Sequence, residues 1–197
     1  MKKLMRSIRA YIVFSLLLGL AYPLLITFLA QVTMSDKANG SLIRRGGRII
    51  GSRLIGQNFA GPGYFHGRPS ANACDGANSG GANLGPSSQK LMSIAEERIK
   101  QVRRENGVPA GMPVPGDMVL ASASGLDPHI SRENAAFQAK RVSKIRNISS
   151  AEMDKLLAKN TDPDFLGLWG CSSVNVLGLN TDVDGLAAKI SGRGKEQ

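Results

Sequence analysis

Residues 10–32, AYIVFSLLLGLAYPLLITFLAQV, run for 23 positions without one charged side chain. No other feature limits the fold of this chain so strongly. As a helix rising ~1.5 Å per residue the run measures about 34 Å, enough to cross a hydrocarbon layer of about 30 Å. A cleavable signal peptide has a shorter apolar core, about 7–15 residues, and a small-residue cleavage site. Thr27-Phe28-Leu29-Ala30 matches such a site poorly, so the run is read as an uncleaved signal anchor, with a cleaved signal as the competing reading. Lys2, Lys3, Arg6 and Arg9 precede it without an acid among them. Basic residues beside a span stay on the cytoplasmic side. The expected layout is a cytoplasmic basic N-terminus (1–9), a transmembrane helix (10–32), a linker (33–47) and an extracytoplasmic domain (48–197).

Pro23 lies mid-span, offers no N–H to the carbonyl of Gly19 and crowds that turn, so a kink is expected. Ser15 and Gly19 form a small-xxx-small pair, the pattern that lets a second helix approach closely in lipid. Ser15, Gly19 and Pro23 are therefore candidates for packing against a partner helix. With no charge in the span, the helix cannot itself line an ion pathway.

The whole chain carries a net charge of +10. Four of its basic residues precede the span, which leaves 21 basic and 15 acidic residues, or +6, beyond it. Nucleic-acid binders cluster such charge with stacking aromatics. Aromatics make up only 5% of this chain, so the charge is read as a solvated basic surface. Cys74 and Cys171 sit in no CxxC pattern, which leaves zinc and thioredoxin chemistry unsupported. They could pair outside the cytoplasm, but two unpaired thiols are the preferred reading.

The outer part mixes strands and helices, so one α/β (α+β) domain is expected. Residues 48–57, RIIGSRLIGQ, read as a strand or hairpin. The next 31 residues, 58–88, are so rich in Gly, Pro, Asn, Ser and Ala that no helix survives there. Phe59, Tyr64 and Phe65 mark this long segment as ordered and packed. Residues 87–106 place Leu91, Ile94, Ala95, Ile99 and Val102 on one helix face and stop at Asn106-Gly107. Residues 117–124, DMVLASAS, read as a buried strand. Ser131 can cap a helix with Ala135, Ala139, Val142 and Ile145 turned inward. Ser149 and Glu152 form a capping box for a short helix with Met153, Leu156 and Leu157. Residues 173–180, SVNVLGLN, read as a strand, and 183–190 as a final helix.

Several chemical motifs are tempting and incomplete. NTDVDG (180–185) resembles the start of a calcium loop, but its twelfth position is Ser191 where a bidentate Glu is needed. SSQK (87–90) is an SxxK without the SDN and KTG elements. No phosphate-cradling P-loop is present. His66 and His129, the two histidines, could be combined with Asp75, Asp117 or Asp127 into a three-ligand metal site, but two histidines support this weakly. ASASGLDPHIS (121–131) holds serines, an acid and a histidine, yet the Gly125–His129 stretch is a tight turn and suits a structural or docking corner better than a Ser–His–Asp triad.

Taken in order, IGQNF, YFHGRPSA, SGGANLGPSS, ASASGLDPHIS and VNVLGLN, behind a short basic N-terminus and a single span, resemble the KdpC family of the Kdp potassium-transporting ATPase. The resemblance runs over nearly the whole chain. Its departures are small: SGGANLG differs from the family in its small residues, and Arg132 stands where a Pro is frequent. It implies a non-catalytic accessory subunit of an ATP-driven, high-affinity potassium uptake complex in the bacterial inner membrane. The expected partners are the channel-like subunit (KdpA), the ATP-hydrolysing subunit (KdpB), a further small subunit (KdpF) and membrane lipid. The implied role is to assemble the complex and, as a catalytic chaperone, to raise the ATP affinity of KdpB. ATP is thus implied only through that partner, and no catalytic or metal-binding residue is assigned. The docking surface is expected to draw on Tyr64, Phe65, Arg68, Pro69, Ser70 and Asn83 of the long loop, and on Ser124, Gly125, Asp127, Pro128 and His129 of the turn. The readings from other classes are a membrane-anchored extracytoplasmic hydrolase using Ser124 or His129, and a free-standing binding module.

Overall fold

The computed structural model describes residues 1–163 and 170–193. It divides into two compact units, Met1–Ile50 and the chain from Gly51 onward.

The first unit begins with α1 (Lys2–Leu16), passes through one π-helical turn (Leu17–Ala21) and continues as α2 (Tyr22–Ala38). None of these residues is buried. The response to Pro23 is a widened turn, with the Tyr22 N–H reaching back to the Leu17 carbonyl. That is where a proline's missing donor and bulky ring have to be absorbed. A separate break falls at Met34, whose φ and ψ of −148° and 49° are not helical. The helix thus runs six residues past the uncharged stretch, into the segment expected to be a linker. A hairpin follows: β1 (Leu42–Arg45) and β2 (Arg48–Ser52) pair across Gly46-Gly47. Both glycines have positive φ, 56° and 78°. A two-residue hairpin turn of the favoured twist needs that geometry. Of residues 48–57, expected to be a strand or hairpin, 48–52 form β2 and 53–57 lie outside both strands, while its partner β1 falls in the segment expected to be a linker.

The second unit contains α3 (Gln89–Asn106), a 3-10 turn (Gly116–Met118), β3 (His129–Ser131), α4 (Arg132–Arg146), α5 (Ser150–Lys159), β4 (Thr161–Asp162), β5 (Ser173–Asn175) and α6 (Val176–Arg193). β5 lies between β3 and β4, antiparallel to both, with Ile130 opposite Val174 and Thr161 opposite Val174. The main core joins this small sheet to α4, α5 and α6 through Ile130, Val142, Met153, Val174, Leu179 and Val183, with Phe65 of the long loop packed among them. A second cluster seats α3 through Val102, Ala95 and Ile99 on Met118, Val119 and Phe137.

The helix ends follow the sequence closely. Ser88 Oγ accepts the Leu91 N–H, and Gly107 ends α3 in the left-handed region at φ 63°. Ser131 Oγ accepts the Asn134 N–H at the start of α4. Both halves of the capping box of Ser149 and Glu152 are present.

Three expectations are corrected. Residues 117–124 are no strand. Asp117 accepts hydrogen bonds from the Ser131 N–H at 2.7 Å and Asn134 Nδ2 at 3.0 Å, and this pulls the chain into a turn against the start of α4. Residues 173–180 are a strand only as far as Asn175. There the Asn175 carboxamide accepts the Gly178 N–H at 3.0 Å and starts α6, seven residues earlier than expected. Val176, Leu179, Asn180 and Val183 then fall on one buried helical face, a spacing that a run of apolar residues does not distinguish from a strand. Ile145 is exposed, while Ile148, just beyond α4, takes the core position.

Candidate functional site

The long loop (57–86) and the 122–129 turn form one structure. The Ser122 N–H donates to the Pro69 carbonyl, Gly80 N–H to the Ser124 carbonyl and Gly56 N–H to the Leu126 carbonyl, at 3.1, 2.8 and 2.8 Å. Ser70 Oγ lies 2.7 Å from the Gly125 carbonyl and accepts the Cys74 N–H at 2.9 Å. Arg68 Nη1 meets Asp127 Oδ2 at 3.0 Å. The other Asp127 oxygen accepts the His129 N–H at 3.0 Å. The Pro128 carbonyl receives the Val176 N–H and so fixes the turn to the start of α6.

Gly125 is needed at this junction. It is buried, its φ is +69°, and an added Cβ would stand 2.3 Å from Asn72 Oδ1 and 2.7 Å from the Gly80 carbonyl oxygen. A side chain there faces both backbone strain and collision.

Two buried carboxamides hold the loop from the helix side. Asn180 of α6 accepts the Phe65 N–H and donates to the Phe65 carbonyl, at 2.8 and 2.9 Å. Gln138 of α4 does the same for His66, at 2.8 and 3.0 Å. Consecutive residues of the loop thus meet side-chain amides in place of a neighbouring strand. Arg141, also buried, donates to Gln138 Oε1, to Asn106 Oδ1 and to the Pro62 carbonyl. Burial lowers its pKa, opposed by Glu105.

Most expected docking residues therefore gather in one place: Arg68, Pro69, Ser70, Gly125, Asp127 and Pro128 lie together across the joined loop and turn. Phe65 does not belong to a surface. It is wholly buried, and its ring is core. Tyr64 lies apart, with Arg146 4.5 Å above its ring and its hydroxyl 3.3 Å from Asp184. Asn83 is exposed in a left-handed conformation at φ 49°. Ser15, Gly19 and Pro23 are all exposed on the long helix.

Gln138, Arg141 and Asn134 do not stand out in the sequence; Asp117 does so only as a conceivable metal ligand, and Asn180 only as the first residue of the calcium-like NTDVDG stretch. A signal was available: Asn134, Gln138 and Arg141 share the stripe of α4 that carries Ala135 and Val142. Polar groups on an apolar stripe need partners.

Ser124 and His129 are not aligned as nucleophile and base. Ser124 Oγ accepts the Leu126 N–H at 3.1 Å and stabilises its own turn. His129 Nε2 lies 3.2 Å from Asp162 Oδ2 and 3.4 Å from Asn175 Nδ2. Among the described residues no hydrogen bond joins the two, and no three His, Cys, Asp or Glu side chains form a group able to hold a metal ion. Cys74 and Cys171 are both free thiols. Asp182 and Asp184, the acids of the calcium-like stretch, face Lys159 and Arg146.

Beside the loop lies a cleft of about 500 Å³ lined by Arg68, His66, Cys74, Arg98, Gln101 and Glu105, among others. Burial pushes the His66 imidazole below its ordinary pKa. The Gly61 carbonyl, 3.1 Å from Nε2, opposes this, Arg141 adds to it, and Glu105 opposes it.

Fold and site together define a class: a small domain of mixed helix and strand, carried on one long, apolar, unburied N-terminal helix. Residues 4–185 match the family described as KdpC, the c chain of the K+-transporting ATPase. The chain is 49% identical over 186 residues to the potassium-transporting ATPase KdpC subunit of Koribacter versatilis, covering 93% of this chain and 95% of that protein. It is 44% identical to the KdpC subunits of Cereibacter sphaeroides (95% of this chain, 100% of that one) and Mycobacterium tuberculosis strain H37Rv (94% and 99%). The chain belongs to the KdpC family and is one component of a K+-transporting ATPase. Among the described residues one helix, Lys2–Ala38, is long and apolar enough to cross a membrane, as befits a membrane-anchored member of that complex.

Proposed function

We propose that this protein is a non-catalytic accessory of the potassium pump, anchored in the inner membrane with its domain on the extracytoplasmic side. It holds the channel-like KdpA, the ATP-hydrolysing KdpB and the small KdpF in a working assembly. The observation that carries this reading is the engagement of Ser124 and His129 in local structure: the serine closes its own turn and the histidine faces Asp162. Lys2, Lys3, Arg6 and Arg9, ahead of the apolar stretch, support a cytoplasmic N-terminus. The joined loop and turn supply a rigid docking corner, and the small-residue face of Ser15 and Gly19 supplies a place for a partner helix. The protein raises the ATP affinity of KdpB as a catalytic chaperone. With its domain read as extracytoplasmic, it does so by long-range coupling between sites.

The test is gentle extraction of the tagged protein from its native membrane. Co-purification in fixed ratio with a channel-like protein and a P-type ATPase, with K+-stimulated ATP hydrolysis, supports the reading. Ser124→Ala and His129→Ala then disturb assembly. An intact complex whose activity is lost in these variants would assign them chemistry instead.

A further inference from the structure

From Lys37 to Cys74 the chain holds Lys37, Arg44, Arg45, Arg48, Arg53 and Arg68, and no acidic residue. Three of these cations sit at the end of the hairpin, where Arg44 and Arg45 close β1 and Arg48 opens β2 on either side of Gly46-Gly47. All three are exposed, and so are the neighbouring Leu42, Ile49 and Ile50. The hairpin follows the apolar helix closely: α2 ends at Ala38 and β1 starts at Leu42. Headgroups add about 5–7 Å to each face of the hydrocarbon layer, and the field of an anionic surface extends a further ~8–10 Å. With the break at Met34, the six residues past Val32 rise at most about 9 Å. If the helix crosses the membrane, the hairpin begins inside that zone.

We propose that residues 42–52 form a lipid-binding hairpin, in which Arg44, Arg45 and Arg48 engage the headgroups of anionic phospholipids while Leu42 and Ile49 rest on the apolar boundary. Arginines beside exposed aliphatic residues match the composition of interfacial segments. Arginine also binds phosphate oxygens through two parallel N–H groups. The tight Gly-Gly turn brings the two strands' arginines to one end, so that one short element presents three cations. This inference rests on the membrane-span reading and not on the identity of the partner subunits.

The experiment reconstitutes the full chain into vesicles of phosphatidylcholine, with or without phosphatidylglycerol, and follows backbone hydrogen exchange. The expected result is exchange of residues 42–52 at least about tenfold slower in the anionic vesicles, reversed by high salt. In R44Q/R45Q/R48Q this difference disappears while exchange in α4 stays unchanged, which shows that the domain still folds. If that variant fails to fold, the lipid and salt dependence of the parent chain decides by itself. Equal exchange in the two kinds of vesicle overturns the proposal. So does slowing that appears only when the other pump subunits are added, since the hairpin then contacts protein. A chain that does not float with vesicles of either kind refutes the span, and the hairpin's role with it.

Discussion

The carboxamide of Asn180 binds both backbone groups of Phe65, accepting its N–H at 2.8 Å and donating to its carbonyl at 2.9 Å. Asn180 comes from α6 and Phe65 from an irregular loop, 115 positions apart. Both are fully buried or nearly so. Buried backbone groups need partners, and here one side chain supplies both. Asn180→Leu keeps the approximate volume and leaves a donor and an acceptor without partners. At about 1–3 kcal/mol for each of the two orphaned groups, the variant loses about 2–6 kcal/mol of stability in a denaturant titration of the purified chain.

Phe65 tests the distinction between core and surface. Phe65→Ala removes a fully buried ring from the main core. Large-to-small changes of this kind cost about 3–5 kcal/mol. The variant therefore melts well below the parent in thermal scans, whether or not partner subunits are present. A residue that merely docked a partner would leave the isolated chain's melting unchanged.

At Gly125 the prediction concerns local order. Gly125→Ala meets a positive φ of +69° and the Asn72 and Gly80 oxygens. The left-handed conformation costs a residue with a Cβ about 1–2 kcal/mol, before any collision is counted. Since Gly125 joins the turn to the 70–80 segment, limited proteolysis of the variant cuts within 71–82 earlier than in the parent. The helices from α4 onward keep their resistance.

The His66 imidazole is held below its ordinary pKa of 6.5, mainly by burial. A depressed histidine pKa means that the unfolded chain binds the proton more readily than the folded one. Stability from this group is therefore complete above about pH 6.5 and declines as pH falls below it. Melting temperatures measured from pH 8 to pH 5 should drop on the acid side, with a shallower drop in His66→Gln. Equal slopes in the two proteins would remove His66 as the cause.

What the sequence made legible follows from how local each signal is. Ser131, Ser149 with Glu152, and Asn106-Gly107 all begin or end helices within three or four residues of themselves, and each does so in the structure. The apolar face of α3 was equally readable, because Val102 and Ile99 repeat at helical spacing. Residues 173–180 misled because two apolar patterns overlap there. Asn175 decided between them through a side-chain cap that no periodicity reveals. The site divided along the same line. Arg68, Ser70, Gly125 and Asp127 stood out as residue types suited to turns and docking, and they do meet. The roles of Asn180 and Gln138 are not legible in the sequence, because their partners are backbone groups more than seventy positions away.

The π-helical turn at Leu17–Ala21 places one extra residue in the helical count of the long apolar helix. One residue corresponds to about 100° of rotation about the axis. Positions before and after Leu17–Ala21 that share a stripe in an ideal helical wheel are therefore out of phase by that angle. A straight neighbouring helix in contact with the stripe through Ser15 meets a different stripe once it passes Tyr22. The two halves of the span present separately oriented faces, so two neighbours can each claim one half without competing for the same side.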